Sequence, residues 1–160
     1  MINLVRCDDR LIHGQCMTVI VIEYDIEEII VVDFFTATNA ILKSVFKTAV
    51  PPSMKADVFT IQDSVSKIKE AKDNNVKTLV LMKSPIVYLE LLKAVDDLPK
   101  ELNVGPMTKR KGSTPVTPTI HLMPDEAEAV KEATSMGARV WFRQVPEQPT
   151  VEWDEVKDKF

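Results

Sequence analysis

The chain has 160 residues, a length that fits one ordinary domain with its own hydrophobic core. The hydrophobic content of 45% and the charged content of 28% are typical of a globular protein, and the net charge of -4 argues against a nucleic-acid-binding surface. Two cysteines without metal-ligand spacing, and the lack of a signal peptide or of a charge-free membrane-spanning run, predict a cytoplasmic domain over residues 1–160 with no metal.

Short apolar runs along the chain predict β-strands. The first run is Ile2–Cys7, and the unbroken apolar runs within 28–33 and 77–82 are typical of strands that are covered on both faces. Weaker strand candidates follow at 57–60, 101–104, 119–122 and 138–145.

Segments with helical periodicity separate these runs. An apolar stripe over 41–49 stops at two prolines, Thr60 and Ser84 are placed as N-caps, and a helix over 124–136 has an acidic start and Gly137 at its end. Residues 14–24 are rich in β-branched side chains, but parallel strands on either side require a helix there. That helix would be apolar nearly all round, and therefore deeply buried or partly covered by another subunit.

The alternation of strands and helices predicts the fold class. We expect an α/β protein with a mostly parallel open sheet, helices on both faces and a short antiparallel edge strand near the C-terminus. The segment 105–118 carries three prolines around Lys109-Arg110-Lys111, which predicts an exposed loop.

The octapeptide Asp8-Asp9-Arg10-Leu11-Ile12-His13-Gly14-Gln15 follows the first predicted strand, where parallel α/β sheets keep their chemistry. The imidazole of His13 is nucleophilic and largely unprotonated near neutral pH. Arg10 lies three residues earlier, close enough for its guanidinium to bind phosphoryl oxygens in a bidentate manner.

The other residues of the octapeptide have supporting roles in this prediction. Gly14 and Gln15 open the next helix, whose first amides have no intrahelical partner and suit an anion. Asp8 and Asp9 are expected to pin Arg10, to cap loop amides, or to bond one ring nitrogen of His13 so that the other keeps its lone pair. Together these residues predict a phosphohistidine site that needs neither metal nor cofactor. The four glycines of the chain form no phosphate loop, which argues against nucleotide binding.

The octapeptide resembles the active-site signature of the IIB components of the mannose/fructose/sorbose family of the bacterial phosphoenolpyruvate-dependent sugar phosphotransferase system (PTS). The similarity covers essentially the full chain, in the same order, at 30–33, 81–85, 102–105 and 140–146. The chain departs from the usual family pattern at Cys16, where valine is common, and at Pro106-Met107-Thr108, where many members have a second glycine and then Met-His.

The resemblance implies a cytoplasmic phosphotransferase component associated peripherally with a membrane permease complex. Such a protein accepts a phosphoryl group from phosphorylated IIA on Nδ1 of the motif histidine, here His13, with the motif arginine, here Arg10, in contact. It passes the group to a sugar held by the membrane components IIC and IID, which makes it a protein-Nπ-phosphohistidine–sugar phosphotransferase. A homo-oligomer remains an option.

Two alternative functions stay open at this point. A regulatory IIB paralogue that senses phosphorylation or binds a partner would keep the same octapeptide. A receiver-like signalling domain is disfavoured, because its phosphoacceptor Asp is missing after the third strand, which ends at Thr60-Ile61.

The remaining candidates have simpler interpretations. We expect His121 to be structural, and Cys7 and Cys16 to be core residues rather than a redox pair. Lys109-Arg110-Lys111 reads as a solvated charge run that could help to dock an acidic partner. For Trp153 two interpretations stay open: the side chain anchors the C-terminal residues, or it contacts another subunit.

Overall fold

The structure is a computed structural model that describes residues 1–160, and it contains nine strands in two sheets. They are β1 Ile2–Cys7, β2 Glu28–Val32, β3 Lys55–Phe59, β4 Thr78–Met82, β5 Glu101–Val104, β6 Thr114–Thr117, β7 Ile120–Leu122, β8 Arg139–Phe142 and β9 Val151–Glu152. The main sheet has the order β3-β2-β4-β1-β5-β8-β9, and every pair in it is parallel except β8 with β9. The predicted mostly parallel sheet with an antiparallel edge strand near the C-terminus is therefore confirmed.

Helices occupy the intervals between the strands. They are a π-helical turn at Cys16–Ile20 that continues into α1 Val21–Glu23, α2 Phe34–Ala37, α3 Ala40–Thr48, α4 Ile61–Asp73, α5 Pro85–Ala94, α6 Pro124–Ser135, α7 Trp153–Val156 and a 3-10 turn at Lys157–Lys159.

The predicted helix boundaries rest on caps that the structure contains. Thr60 Oγ1 accepts a hydrogen bond from the Asp63 amide at 3.2 Å, and Ser84 Oγ accepts one from the Ile86 amide at 3.2 Å. Gly137 ends the segment after α6 with a φ of +91°, a conformation that favours glycine.

The two faces of the main sheet bury separate apolar clusters, which confirms helices on both sides. On β1, Val5 and Cys7 belong to the cluster that α5 and α6 cover, whereas Leu4 belongs to the cluster on the opposite face. That second cluster includes Cys16 and Ile20 of the π-helical turn. The helix predicted over 14–24 is thus present and buries one side, while Ile22 on its other side is 72% exposed.

One sequence-based expectation was wrong in part. The segment 105–118 is not irregular throughout, because β6 pairs antiparallel with β7 and Val116 is buried in the core. Pro115 is tolerated since both strands of a two-stranded ribbon are edges. The apolar stripe of α3 is only partly covered, because Ile41 and Val45 remain exposed.

Trp153 packs within the chain. Its ring lies 6.4 Å from the ring of Phe142 and 5.5 Å from the ring of Phe160, centroid to centroid, and the side chain is buried. The indole therefore anchors the C-terminal residues to β8.

Candidate functional site

The carboxyl ends of four neighbouring strands lie in one row. Cys7 is in register with Met82 of β4 on one side and with Val104 of β5 on the other, and Val104 is in register with Phe142 of β8. The residues that follow these positions are consequently brought to the same edge of the sheet. They include the octapeptide, the segment that starts at Gly105, and Arg143-Gln144.

The backbone after β1 makes a tight turn that brings His13 to the surface with its ring half-buried. The Asp8 amide donates to the Met82 carbonyl at 2.9 Å, and the Leu11 amide donates back to the Asp8 carbonyl at 3.0 Å. Leu11 has a φ of +57°, which is strained for a bulky residue, yet its side chain is completely buried. Because Leu11 and Ile12 both point into the core, the chain emerges at His13 with the ring at the surface.

The imidazole of His13 is bonded to Asp8. Its Nε2 lies 2.7 Å from Asp8 Oδ2, and the carboxyl group is fully buried while the ring keeps 15% exposure. The other carboxyl oxygen of Asp8 accepts a hydrogen bond from the Arg10 amide at 3.1 Å. A carboxylate can only accept hydrogen bonds, so this pairing assigns a proton to Nε2, and in the neutral ring the lone pair is then on Nδ1.

The residues next to His13 in the chain carry donors that have no partner. The amides of Gly14 and Gln15 have no acceptor within the chain, and the helix begins when the Met17 amide donates to the His13 carbonyl at 3.0 Å. Arg10 is exposed, and its only hydrogen bond is the one from its amide to Asp8. An anion beside His13 would therefore find unpaired N–H groups and a free guanidinium.

The two acidic residues do not hold the Arg10 side chain, which was one of the three options that the sequence left open for them. Asp8 bonds the ring and a loop amide, as two of the expected options foresaw. Asp9 does not bond the ring, and its Oδ2 accepts a hydrogen bond from the Thr108 amide at 2.6 Å, which ties the octapeptide to the segment after β5. Both carboxylates find backbone or ring donors that are already fixed in place, which costs less side-chain entropy than ordering a long arginine.

Gln15 joins the site to the segment after β8. Its Oε1 accepts a hydrogen bond from Gln144 Nε2 at 3.0 Å. Gln144 also lines a polar depression of about 360 Å³ beside the octapeptide, together with Arg10 and Lys109. His121 lies on its wall, half-buried in β7, with Nδ1 buried and unpartnered.

The basic run 109–111 is not uniformly solvated. Arg110 pairs with Glu126 at 2.8 Å, and Glu126 is buried at the start of α6. Arg110 also donates to the carbonyls of Thr108 and His121 at 3.0 Å each. Only Lys109 and Lys111 of the run project as exposed cations without an ion-pair partner.

Arg6 is the residue that the sequence analysis missed. It lies within the strand predicted at Ile2–Cys7, its side chain is 1% exposed, and its Nη2 lies 3.7 Å from Asp8 Oδ2. The guanidinium donates to Asn103 Oδ1 and to the carbonyls of Arg143, at 3.3 Å, and Gln144, at 2.9 Å. A charged residue within a strand that is buried on both faces was the available signal.

The cysteines are free and buried, as expected of core residues. Burial raises the pKa of Cys7 well above its usual value and raises the pKa of Cys16 to about 11, so both thiols stay protonated at neutral pH. The structure contains no group of His, Cys, Asp or Glu side chains arranged to hold a metal ion. None of its helices combines the length and the apolar character needed to cross a bilayer.

Comparisons with known proteins point to one family. The sequence pattern of the family described as PTS system sorbose subfamily IIB component matches residues 2–159. The chain is 32% identical over 150 residues to a sorbose-specific EIIB component of Lacticaseibacillus casei, covering 94% of this chain and 91% of that protein. It is 28% identical over 149 residues to a mannose-specific EIIAB component of Escherichia coli, covering 93% of this chain but 46% of that longer protein.

A solved structure shares the architecture. The IIBSor domain of the sorbose permease from Klebsiella pneumoniae superimposes with a TM-score of 0.87 at 27% identity, over 99% of this chain and 94% of that one.

Proposed function

Because the chain belongs to the sorbose-subfamily IIB components of the sugar phosphotransferase system, we propose that it is a phosphocarrier that holds a phosphoryl group on Nδ1 of His13. The observation that carries the proposal is the 2.7 Å hydrogen bond between His13 Nε2 and the buried Asp8 carboxylate. This bond fixes the tautomer in which Nδ1 is the nucleophilic nitrogen.

The transfer runs in two steps. The Nδ1 lone pair attacks the phosphorus of a phosphohistidine on a IIA component, and the electron pair of the breaking N–P bond returns to the donor ring. The imidazole of His13 gains positive charge, which the Asp8 carboxylate balances through the Nε2 proton. A sugar hydroxyl then attacks the same phosphorus, its proton leaves to a base at the sugar site, and the Nδ1–P electron pair returns to His13.

The surrounding donors stabilise the moving charge. A loose phosphoryl-transfer transition state needs positioning and charge stabilisation more than covalent help. We assign this role to the exposed guanidinium of Arg10 and to the free amides of Gly14 and Gln15. Asp9 acts indirectly, since its bond to the Thr108 amide keeps the neighbouring loop beside Arg10.

The partners of this function follow from the family. We propose that the chain acts as one cytoplasmic domain over residues 1–160, receives its phosphoryl group from IIA, and delivers it to a sugar held by IIC and IID at the membrane. The E. coli relative supports the first partner, because its name joins IIA and IIB in a single component.

The test is a reconstituted phosphoryl relay. The purified chain is mixed with radiolabelled phosphoenolpyruvate, enzyme I, the phosphocarrier protein and a sorbose-family IIA, and the label on the chain is followed. We expect a phosphate that is stable in base and labile in acid, and that His13→Ala abolishes. His121→Ala is the matched control, because it removes the only other histidine and should retain the label. Label that survives in His13→Ala, or that resists acid, would contradict the proposal.

A second stage separates transport from regulation. Membranes that contain the IIC and IID partners are added with sugar, and the loss of label from the chain is measured with and without them. Sugar-dependent loss of label supports transfer to sugar, whereas label that stays on His13 under these conditions assigns the chain a regulatory role.

A further inference from the structure

The most unusual side chain outside the octapeptide is the buried arginine on β1. Arg6 lies on the opposite face of the strand from Val5 and Cys7, where its neighbours would ordinarily be apolar. Its guanidinium instead forms hydrogen bonds with Asn103 at the end of β5 and with two carbonyls after β8. Arginine keeps its proton even when burial lowers its pKa, as it does here, so a full positive charge lies under the site.

The backbone at Gly105 lies directly against the Arg6 guanidinium. A Cβ atom added at Gly105 would lie 2.3 Å from Arg6 Nη2 and 2.5 Å from Cζ, which means that only glycine permits the guanidinium to rest against the backbone there. The φ of Gly105 is not positive, so its glycine is explained by this contact and not by backbone conformation.

The buried charge faces the carboxylate that orients His13. Asp8 Oδ2 lies 2.7 Å from His13 Nε2 and 3.7 Å from Arg6 Nη2, so one oxygen is shared between the imidazole and the guanidinium. Without a nearby cation, a fully buried and ionised Asp8 would favour protonation of the His13 ring, because the imidazolium would balance its charge. Arg6 supplies the cation permanently, so the imidazole does not have to become charged in order to balance Asp8.

Building on the proposed function, we propose that Arg6 is a positioning residue for phosphoryl transfer, which keeps Asp8 ionised and His13 neutral, with its proton on Nε2 and its lone pair on Nδ1. Arg6 is too deeply buried to touch the phosphoryl group and acts only through Asp8.

The other charged or titratable groups around this pair do not replace Arg6. The thiols of Cys7 and Cys16 stay protonated, and Glu126 approaches from α6 on the other face of the sheet. Arg143 is directed elsewhere, because its Nη2 donates to the Tyr24 hydroxyl at 3.1 Å and its guanidinium lies over Trp141, 5.0 Å from the ring centre. Arg10 is exposed, so solvent and salt screen its charge.

The experiment titrates His13 by NMR in the full chain without any phosphoryl donor, and reads the ring tautomer from the two ¹⁵N shifts. In Arg6→Met we expect the midpoint of the His13 titration to rise, because the competing cation is gone. The pH at which phosphoryl acceptance is half-maximal should rise by the same amount. Arg6→Lys, which keeps the charge, should recover most of the wild-type midpoint.

Two further variants test whether the shift depends on the position of the Arg6 guanidinium or follows from the loss of any arginine. Gly105→Ala leaves the arginine in the sequence but displaces its guanidinium, and should raise the midpoint in the same direction by a smaller amount. Arg139→Met removes another arginine with carboxylate partners, at the opposite end of β8, and should leave the midpoint unchanged. If Arg6→Met does not fold, Gly105→Ala decides the question.

Folded Arg6→Met or Gly105→Ala protein with a wild-type midpoint and a wild-type tautomer would overturn the inference and assign Arg6 a purely structural role. This outcome is independent of the proposed function, because the titration requires no phosphoryl transfer. Conversely, a wild-type chain that never takes up phosphate would refute the proposed function while the NMR result for Arg6 still stood.

Discussion

Replacement of Arg10 by alanine should separate activity from stability. The guanidinium is exposed and has no hydrogen-bond or ion-pair partner within the chain, so its removal breaks no such interaction of the folded state. We expect the free energy of unfolding to change by no more than about 0.5 kcal/mol, as for other surface substitutions. The amide of residue 10 still donates to Asp8, which preserves the turn before His13.

The expected loss of activity is much larger. Removal of one preorganised donor from a charge-stabilising site typically slows the reaction about 10²-fold or more, and a factor of 10² corresponds to about 2.7 kcal/mol of transition-state stabilisation. Arg10→Lys should recover only part of this loss, because an ammonium group lacks the bidentate geometry. Rapid-quench measurement of phosphoryl uptake from phosphorylated IIA provides the rates, and chemical denaturation provides the stability.

Arg110 offers a matched control with the opposite expectation. Its partner Glu126 is buried, and the two charged groups lie 2.8 Å apart. Arg110→Ala would leave that carboxylate with the Met123 amide at 2.9 Å as its remaining partner, so we expect a loss of roughly 1–3 kcal/mol of stability. The rate of phosphoryl uptake in the folded variant should stay close to that of the wild type. Equal rates for Arg10→Ala and wild type would refute the assignment of Arg10 to the transfer.

Two further predictions concern the surroundings of the site. Burial raises the pKa of Cys16 from 9.0 to about 11, so the native state holds this thiol proton more tightly than the unfolded state does. Stability that is present below about pH 9 should therefore be lost as the pH rises toward 11, more steeply in the wild type than in Cys16→Ala, and equal slopes in denaturant titrations would contradict this. Asp9→Ala removes the acceptor of the Thr108 amide, 2.6 Å away, and hydrogen exchange at that amide should accelerate about tenfold. Asp9→Asn keeps an acceptor oxygen and should exchange more slowly than Asp9→Ala.

The parts of the fold that could be predicted were those in which local signals agreed. The strands at Ile2–Cys7 and Glu101–Val104 have the predicted bounds, and the helix after Ser84 begins where its cap and Pro85 place it. The β-branched residues after His13 favour a strand, but a helix was predicted there because connectivity between parallel strands outweighs intrinsic propensity. Local sequence could not foresee that Val116 would find core space and turn part of a proline-rich loop into a hairpin.

Only those contacts of the candidate site that join residues close in the sequence could be predicted. The pairing of Asp8 with His13 spans five residues and was among the expected options. The contacts of Arg6 span 97 residues to Asn103 and 138 residues to Gln144, and they exist because the ends of β1, β5 and β8 lie in one row. Strand order cannot be read from one sequence, so the importance of Arg6 and Gly105 emerges only in three dimensions.

The two margins of the main sheet bear on how the molecule behaves at high concentration. One margin is β9, which has only two residues and offers little backbone for pairing with another chain. The other is β3, where the Val58 amide is already engaged by Asp57 Oδ1 at 2.8 Å and Lys43 and Lys47 approach the same carboxylate. The short length of β9 and the charged groups beside β3 both disfavour the addition of a strand from another chain. A concentrated solution of this chain should therefore resist fibril-like growth.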